Sequence, residues 1–176
     1  MRMPFPDEQK LEPHIRERLK TLPLNVVRMS ANGSPQVFDA FGGMGGAVAG
    51  NVAYGPDVRE AVILRVGYLE RSDYELHHHL SIARQVGVSE ATLKAIETQD
   101  YAALDPGMAA AAKFTDEIVT SGNCSDAALA EVRKHYGERG VIDLLFLIGL
   151  YMAVARVIAV TGIELDNIPL QELSKG

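Results

Sequence analysis

The sequence predicts an all-α fold, a single-domain helical bundle with no substantial sheet. Three observations carry this. The chain is rich in Ala, Leu, Val and Ile, with 6% aromatic residues and no tryptophan. Alternating apolar/polar runs of strand type are scarce. Helix start and stop signals recur from one end of the 176 residues to the other. That length suits one domain, and 47% hydrophobic against 23% charged residues suits a chain with a real core.

The elements follow in order from those signals. Residues 1–23 read as an N-terminal arm, mobile or swapped, with one helix entered at Pro13 and stopped by Pro23. A short helix spans Leu24 to Ala31 and closes at Asn32-Gly33. Ser34-Pro35 pairs an N-cap with proline at the first helical position and opens a helix to about Gly50. Gly55-Pro56-Asp57 opens one to about Arg71. Ser72-Asp73-Tyr74-Glu75 has the S-x-x-E form of a capping box and opens a helix ending at Gly87. Ser89 caps a short helix to Thr98, and Asp105-Pro106 opens another that closes at Ser121-Gly122. Ser125 or Asp126 caps a helix ending at Gly137, and a long apolar helix covers Gly140 to Gly162. The main domain extends to residue 168, and residues 169–176 form a tail beginning at Pro169.

Charge and cysteine content narrow the function. With 17 basic and 23 acidic residues the formal charge is −6, which argues against coating nucleic acid and against polybasic membrane binding. The N-terminus lacks an apolar run of signal-peptide length, so a cytoplasmic address is expected. Val141 to Ile163 is interrupted by Asp143 and Arg156 and reads as a buried core helix rather than a membrane span. Cys124 is the single cysteine, which excludes an internal disulfide and an all-cysteine metal site.

Candidate chemistry lies on two consecutive helices. At 100° per residue, Leu76, Leu80, Ile82, Ala83 and Val86 share a broad core arc with His79 in its middle and Glu75 beside it. His77 and His78 fall opposite and are expected to be solvated. The preceding helix is apolar nearly all round, so Glu60 and Arg65 are expected to be embedded, with Glu60 on the arc of Ile63, Leu64 and Gly67. An inward carboxylate and an inward imidazole can pair and exchange a proton near neutral pH. Bland readings stand beside this: Glu75 as a capping residue, His79 as a core histidine, and Glu60 in an ion pair with Arg59 or Arg65. Glu75 and His79 share a face but lack a third ligand of matching spacing, so no metal is expected.

Arg59-Glu60-Ala61-Val62-Ile63-Leu64-Arg65, followed by Tyr74-Glu75-x-x-x-His79-x-x-x-Ala83-x-x-x-Gly87-Val88, resembles the carboxymuconolactone decarboxylase family of the alkylhydroperoxidase D-like superfamily. Ile148-Gly149-Leu150-Tyr151-Met152-x-x-x-Arg156, ending in Thr161-Gly162-Ile163-Glu164-Leu165, resembles the family's closing helix. The resemblance covers roughly Leu24 to Leu165. It implies an all-α bundle that assembles as a homo-oligomer, a trimer or hexamer. It also implies a lyase or isomerase without a cofactor, acting on a small anionic organic acid or lactone, as in aromatic compound catabolism. His79 and Glu60 would be catalytic with Glu75 as a second acid/base, and Arg65 and Ser72 would meet the substrate. The superfamily's redox branch carries E…C-x-x-C-x-x-x-H. Aligned on His79, its cysteines fall on Ser72 and Glu75, so that disulfide cycle is unavailable.

Two alternatives remain open: peroxide reduction by Cys124 with an external thiol, and a non-catalytic oligomer that binds a small ligand. Gly42, Gly46 and Gly50 are spaced i, i+4, i+8, which marks a packing groove, a subunit contact or a cavity floor, and the segment can be partly loop.

Overall fold

The computed structural model describes residues 1–50 and 52–166. Among these, eight α-helices and no strands form the bundle: α1 Pro13–Thr21, α2 Asn25–Ser30, α3 Pro35–Ala49, α4 Pro56–Glu70, α5 Asp73–Gln85, α6 Glu90–Thr98, α7 Pro106–Ser121 and α8 Asp126–Thr161. Short 3-10 turns stand at Glu8–Lys10 and Tyr101–Ala103. The starts lie where the sequence signals put them. Ser34, Ser89 and Ser125 cap through their side chains, and Pro35, Pro56 and Pro106 occupy the first turn. Gly137, at φ 66° and ψ −176°, breaks α8, which keeps the expected division between two helices. The expected tail, residues 169–176, lies outside the described residues.

α4 is the centre. It packs on α5, α7 and α8, and its residues from Ala61 to Gly67 are all buried, as its all-round apolarity requires. The main core joins Val62, Leu64, Ile96, Phe114, Leu144 and Leu147 from α4, α6, α7 and α8. A second core lies at one end, where Ile15 and Leu19 of α1 meet Val26, Met29, Phe38, Tyr74 and Ile158. The arm is therefore docked on its own chain, contrary to the mobile or swapped arm expected. Its helix carries Ile15 and Leu19 at i, i+4, and that pair is enough to bury one face.

α3 is helical throughout its glycine-rich stretch, with only Phe38 and Val48 buried. α8 holds an 18-residue window of mean hydropathy 2.2, long and apolar enough by composition to cross a membrane, and 44% of that window is buried inside the bundle.

Candidate active site

The turn between α4 and α5 sets the site. Arg71 takes the left-handed conformation (φ 56°) and ends α4. The Ser72 amide then donates to the Gly67 carbonyl at 2.9 Å. That amide is the group a capping-box glutamate would serve, so the expected box does not form and the Ser72 side chain makes no cap bond. Glu75 is released from the helix end and turns inward. Gly67 completes the arrangement: a Cβ there would stand 3.1 Å from Leu76 Cδ2, so the missing side chain lets α5 lie close on α4.

Across this close contact, His79 Nδ1 meets Glu60 Oε2 at 2.7 Å. Glu60 is 1% exposed. Its other oxygen accepts from Arg59 Nε at 2.9 Å, and Arg59 also donates to the Ala49 carbonyl at 3.0 Å. A carboxylate only accepts, so the shared proton belongs to Nδ1, and Nε2 of the neutral ring is left as a base. The Tyr151 ring stands edge-on to His79, with centroids 5.0 Å apart. Burial, and then the charges of Glu60 and Glu75, push the Tyr151 hydroxyl above its ordinary range, so it stays protonated.

His79 and Tyr151 border a cavity of about 410 Å³, with Glu60 behind His79, within the size range of small-molecule sites. Glu75, His79 and Tyr151 form its reactive wall, and Leu22, Phe41, Ile82 and Leu150 are among its apolar walls. Gly42, Gly45 and Gly46 of α3 line it too. A Cβ on Gly45 or Gly46 would meet nothing within 4 Å. Gly42 and Gly46 of the spaced set thus line the cavity, and Gly50 does not.

Glu75 is 2% exposed, and neither of its carboxylate oxygens has a hydrogen-bond partner among the described residues. Burial pushes its pKa up to about 7; the Glu70 charge adds to the rise and the Ser72 hydroxyl opposes it. The folded carboxyl thus holds its proton through a range in which the unfolded one has lost it. Stability from this group is complete below about pH 4.5 and falls as pH rises toward 7. Glu75→Gln is expected to unfold like the wild type at pH 4 and to be more stable at pH 8, on the order of 3 kcal/mol. Urea titrations at the two pH values check this, and a gain of equal size at both would remove the titration as its cause.

Three expectations need correction. Arg65 does not face the cavity. Its Nε and Nη2 reach Asp116 Oδ1 at 2.8 and 2.7 Å, and its Nη1 donates to the Ile96 carbonyl at 2.9 Å. It points to the opposite side of α4, toward α6 and α7, which an all-apolar helix gives the sequence no means to tell apart. Ser72 is buried but borders a separate depression beside Ile163 and Glu164. His78 is not solvated: it is 4% exposed. Its Nε2 lies 2.9 Å from Asp166 Oδ2, and Tyr74 also donates to that oxygen. The Asn25 amide bonds the other oxygen at 2.7 Å. Burial disfavours the ionised Asp166, yet these bonds together hold its pKa below the ordinary value. α5 therefore has a second buried face, made by α2 and the segment after α8. Tyr74 and His78, four residues apart, were the sequence signal for it.

Cys124 precedes α8 and is not among the cavity's lining residues. Burial, then the Glu117 and Asp126 carboxylates, push its thiol up. Among the described residues no group of three or more His, Cys, Asp or Glu side chains is placed to hold a metal ion.

Solved structures share this fold. The AhpD core of a peroxidase-related protein from Ralstonia eutropha JMP134 superposes with a TM-score of 0.80 at 18% identity, covering 94% of this chain and 92% of that one. A peroxidase-related protein from Silicibacter sp. TM1040 gives 0.75 at 20% identity, over 94% and 88%. A cysteine-to-alanine variant of the debrominase Bmp8 in complex with 2,3,4-tribromopyrrole gives 0.75 at 20% identity, over 98% and 97%. No curated protein matches. Residues 35–117, the stretch from the glycine-rich helix through Glu60, Glu75 and His79 to α7, match the model of the carboxymuconolactone decarboxylase family. Over that segment, just under half of the chain, the sequence resembles the carboxymuconolactone decarboxylase family.

Proposed function

We propose that the cavity performs acid/base chemistry without a cofactor, as a decarboxylase-like lyase or an isomerase, on a small anionic organic acid or lactone. The 2.7 Å bond between His79 Nδ1 and Glu60 beside an apolar cavity carries this reading. Glu60 orients His79 and balances the imidazolium when Nε2 takes a proton. Glu75, its pKa near 7, is the matching acid. In a decarboxylation the bond to the carboxylate carbon breaks, carbon dioxide leaves, and the electron pair passes into a conjugated carbonyl. Glu75, or His79 once Nε2 has taken up a proton from solvent, then protonates the carbon. In an isomerisation His79 removes the proton and one of the two acids delivers it elsewhere.

The test is to incubate the protein with small unsaturated acids and lactones in D₂O and follow them by NMR. Deuterium appearing at carbon in the product, and absent with His79→Gln, supports the reading. Peroxide consumption with an external thiol that disappears in Cys124→Ser would replace it with the antioxidant alternative. Ligand-induced thermal stabilisation with no product would leave a binding protein.

The same reading includes a homo-oligomer, a trimer or hexamer. Ile142, Phe146 and Val160 of α8 are 51%, 56% and 61% exposed, with Leu145 beside them. This apolar face suits a subunit contact better than open solvent, and its partly buried helix is a core and interface element rather than a membrane span. Light scattering on the eluting protein is expected to give three or six times 19.1 kDa, and Phe146→Glu to shift it toward monomer. A monomeric wild type at micromolar concentration would refute the assembly.

A further inference from the structure

We infer that Arg18, on the N-terminal arm, is the anion-anchoring residue of the cavity and makes it selective for a monocarboxylate with a compact apolar body. This deepens the acid/base reading, since it rests on the same cavity. Among the described residues, Arg18 is the one Lys or Arg that lines it. Most guanidinium groups of the chain are committed: Arg28 to Glu8, Arg59 to Glu60, Arg65 to Asp116, Arg84 to Glu90 and Arg156 to Glu70. The Arg18 guanidinium has no hydrogen bond or ion pair among the described residues.

Its placement is built in. Ile15 and Leu19 bury the adjoining face of α1. The Arg18 carbonyl accepts from the Leu22 amide at 2.9 Å and from Thr21 Oγ1 at 3.0 Å, which closes the helix just past it. The side chain then lies along the glycine face of α3: Nη2 is 3.9 Å from where a Cβ on Gly42 would stand. A larger residue at 42 would press on the guanidinium.

The remaining polar walls do not neutralise it. Tyr74 and His78 are engaged with Asp166. The Glu75 oxygens are recessed and unpartnered. A planar guanidinium at the edge of this largely apolar chamber, away from the Glu75–His79–Tyr151 wall, recognises a carboxylate through paired N–H donors, while Phe41, Ile82 and Leu150 accept the carbon skeleton. Arg18 lies outside the matched segment 35–117. The anchor thus belongs to the part of this chain that the family model does not describe.

Benzoate and its uncharged analogue benzamide test this by calorimetry on the full-length protein. Wild type is expected to bind benzoate about tenfold or more tightly than benzamide. Arg18→Gln is expected to bring benzoate down to the benzamide level without moving benzamide, and Arg18→Lys to keep part of the preference. Gly46→Leu, which grows into the cavity, is expected to abolish binding of both. Gly43→Leu, on the open side of α3 with nothing within 4 Å, is expected to leave it intact. Equal affinities in wild type, a preference that survives Arg18→Gln, or benzoate binding that survives Gly46→Leu would overturn the inference. His79→Gln should keep the benzoate preference, so failure of the acid/base chemistry and failure of the anchor are read separately.

Discussion

His79→Gln is expected to lower turnover by about a hundred- to ten-thousand-fold, the usual range for a positioned acid or base. The physical reason is that glutamine fills similar space but carries no group that gains and loses a proton near neutral pH. Glu60 would still have Arg59 as a partner, so the core is expected to hold. Thermal unfolding and circular dichroism should therefore match the wild type closely. Glu60→Gln is expected to cost less than His79→Gln in rate and more in stability. It leaves the base in place but removes the charge that balances both the imidazolium and Arg59 at a position 1% exposed. A His79→Gln protein that keeps its rate within about threefold would take His79 out of the proton-transfer role. The full drop, accompanied by unfolding, would make it a structural histidine.

The second large effect is on stability alone. Arg65→Met is expected to destabilise the chain by about 3 kcal/mol, the range for removing one partner of a buried ion pair. Arg65 is 1% exposed and ties α4 to the Ile96 carbonyl at the end of α6 and to Asp116 on α7. Asp116 also receives the Tyr101 hydroxyl. Methionine replaces the stem but leaves both acceptors without the guanidinium. The Asp116 side chain is 21% exposed, so water reaches it and keeps the loss at the lower end of that range. Urea denaturation measures the change, and the double variant with Asp116→Asn tests the coupling. A loss below about 1 kcal/mol would mean that the pair contributes no more than a surface bridge. Benzoate binding should be unaffected in Arg65→Met, because this network faces away from the cavity.

Much of the candidate site was legible because Glu60 and His79 lie on neighbouring helices. Glu60 and His79 are nineteen residues apart, and each falls on the inward arc of a strongly patterned helix. Gly67 between them marked the close approach. The reading failed where a residue's partner came from far along the chain. A helical wheel allows one buried face and so puts His78 in solvent, whereas Asp166, eighty-eight residues on, makes a second. For Arg65 nothing local distinguishes the cavity from Asp116, because α4 is buried on every side. Glu75 fitted a capping box by spacing, but the Gly67 carbonyl had already taken the Ser72 amide.

The sequence by itself determined the helices and their ends, the absence of any C-x-x-C redox pair, and the inward carboxylate and imidazole. Caps, prolines, glycines and the 3.6-residue period act within a few residues of one another, so they can be read without a fold. Only the tertiary structure decided which buried charges face the cavity and which face a partner. It also docked the arm and so brought Arg18 to the cavity edge. Those outcomes depend on which helix lies against which face, and a face buried against a distant segment leaves no local periodicity of its own.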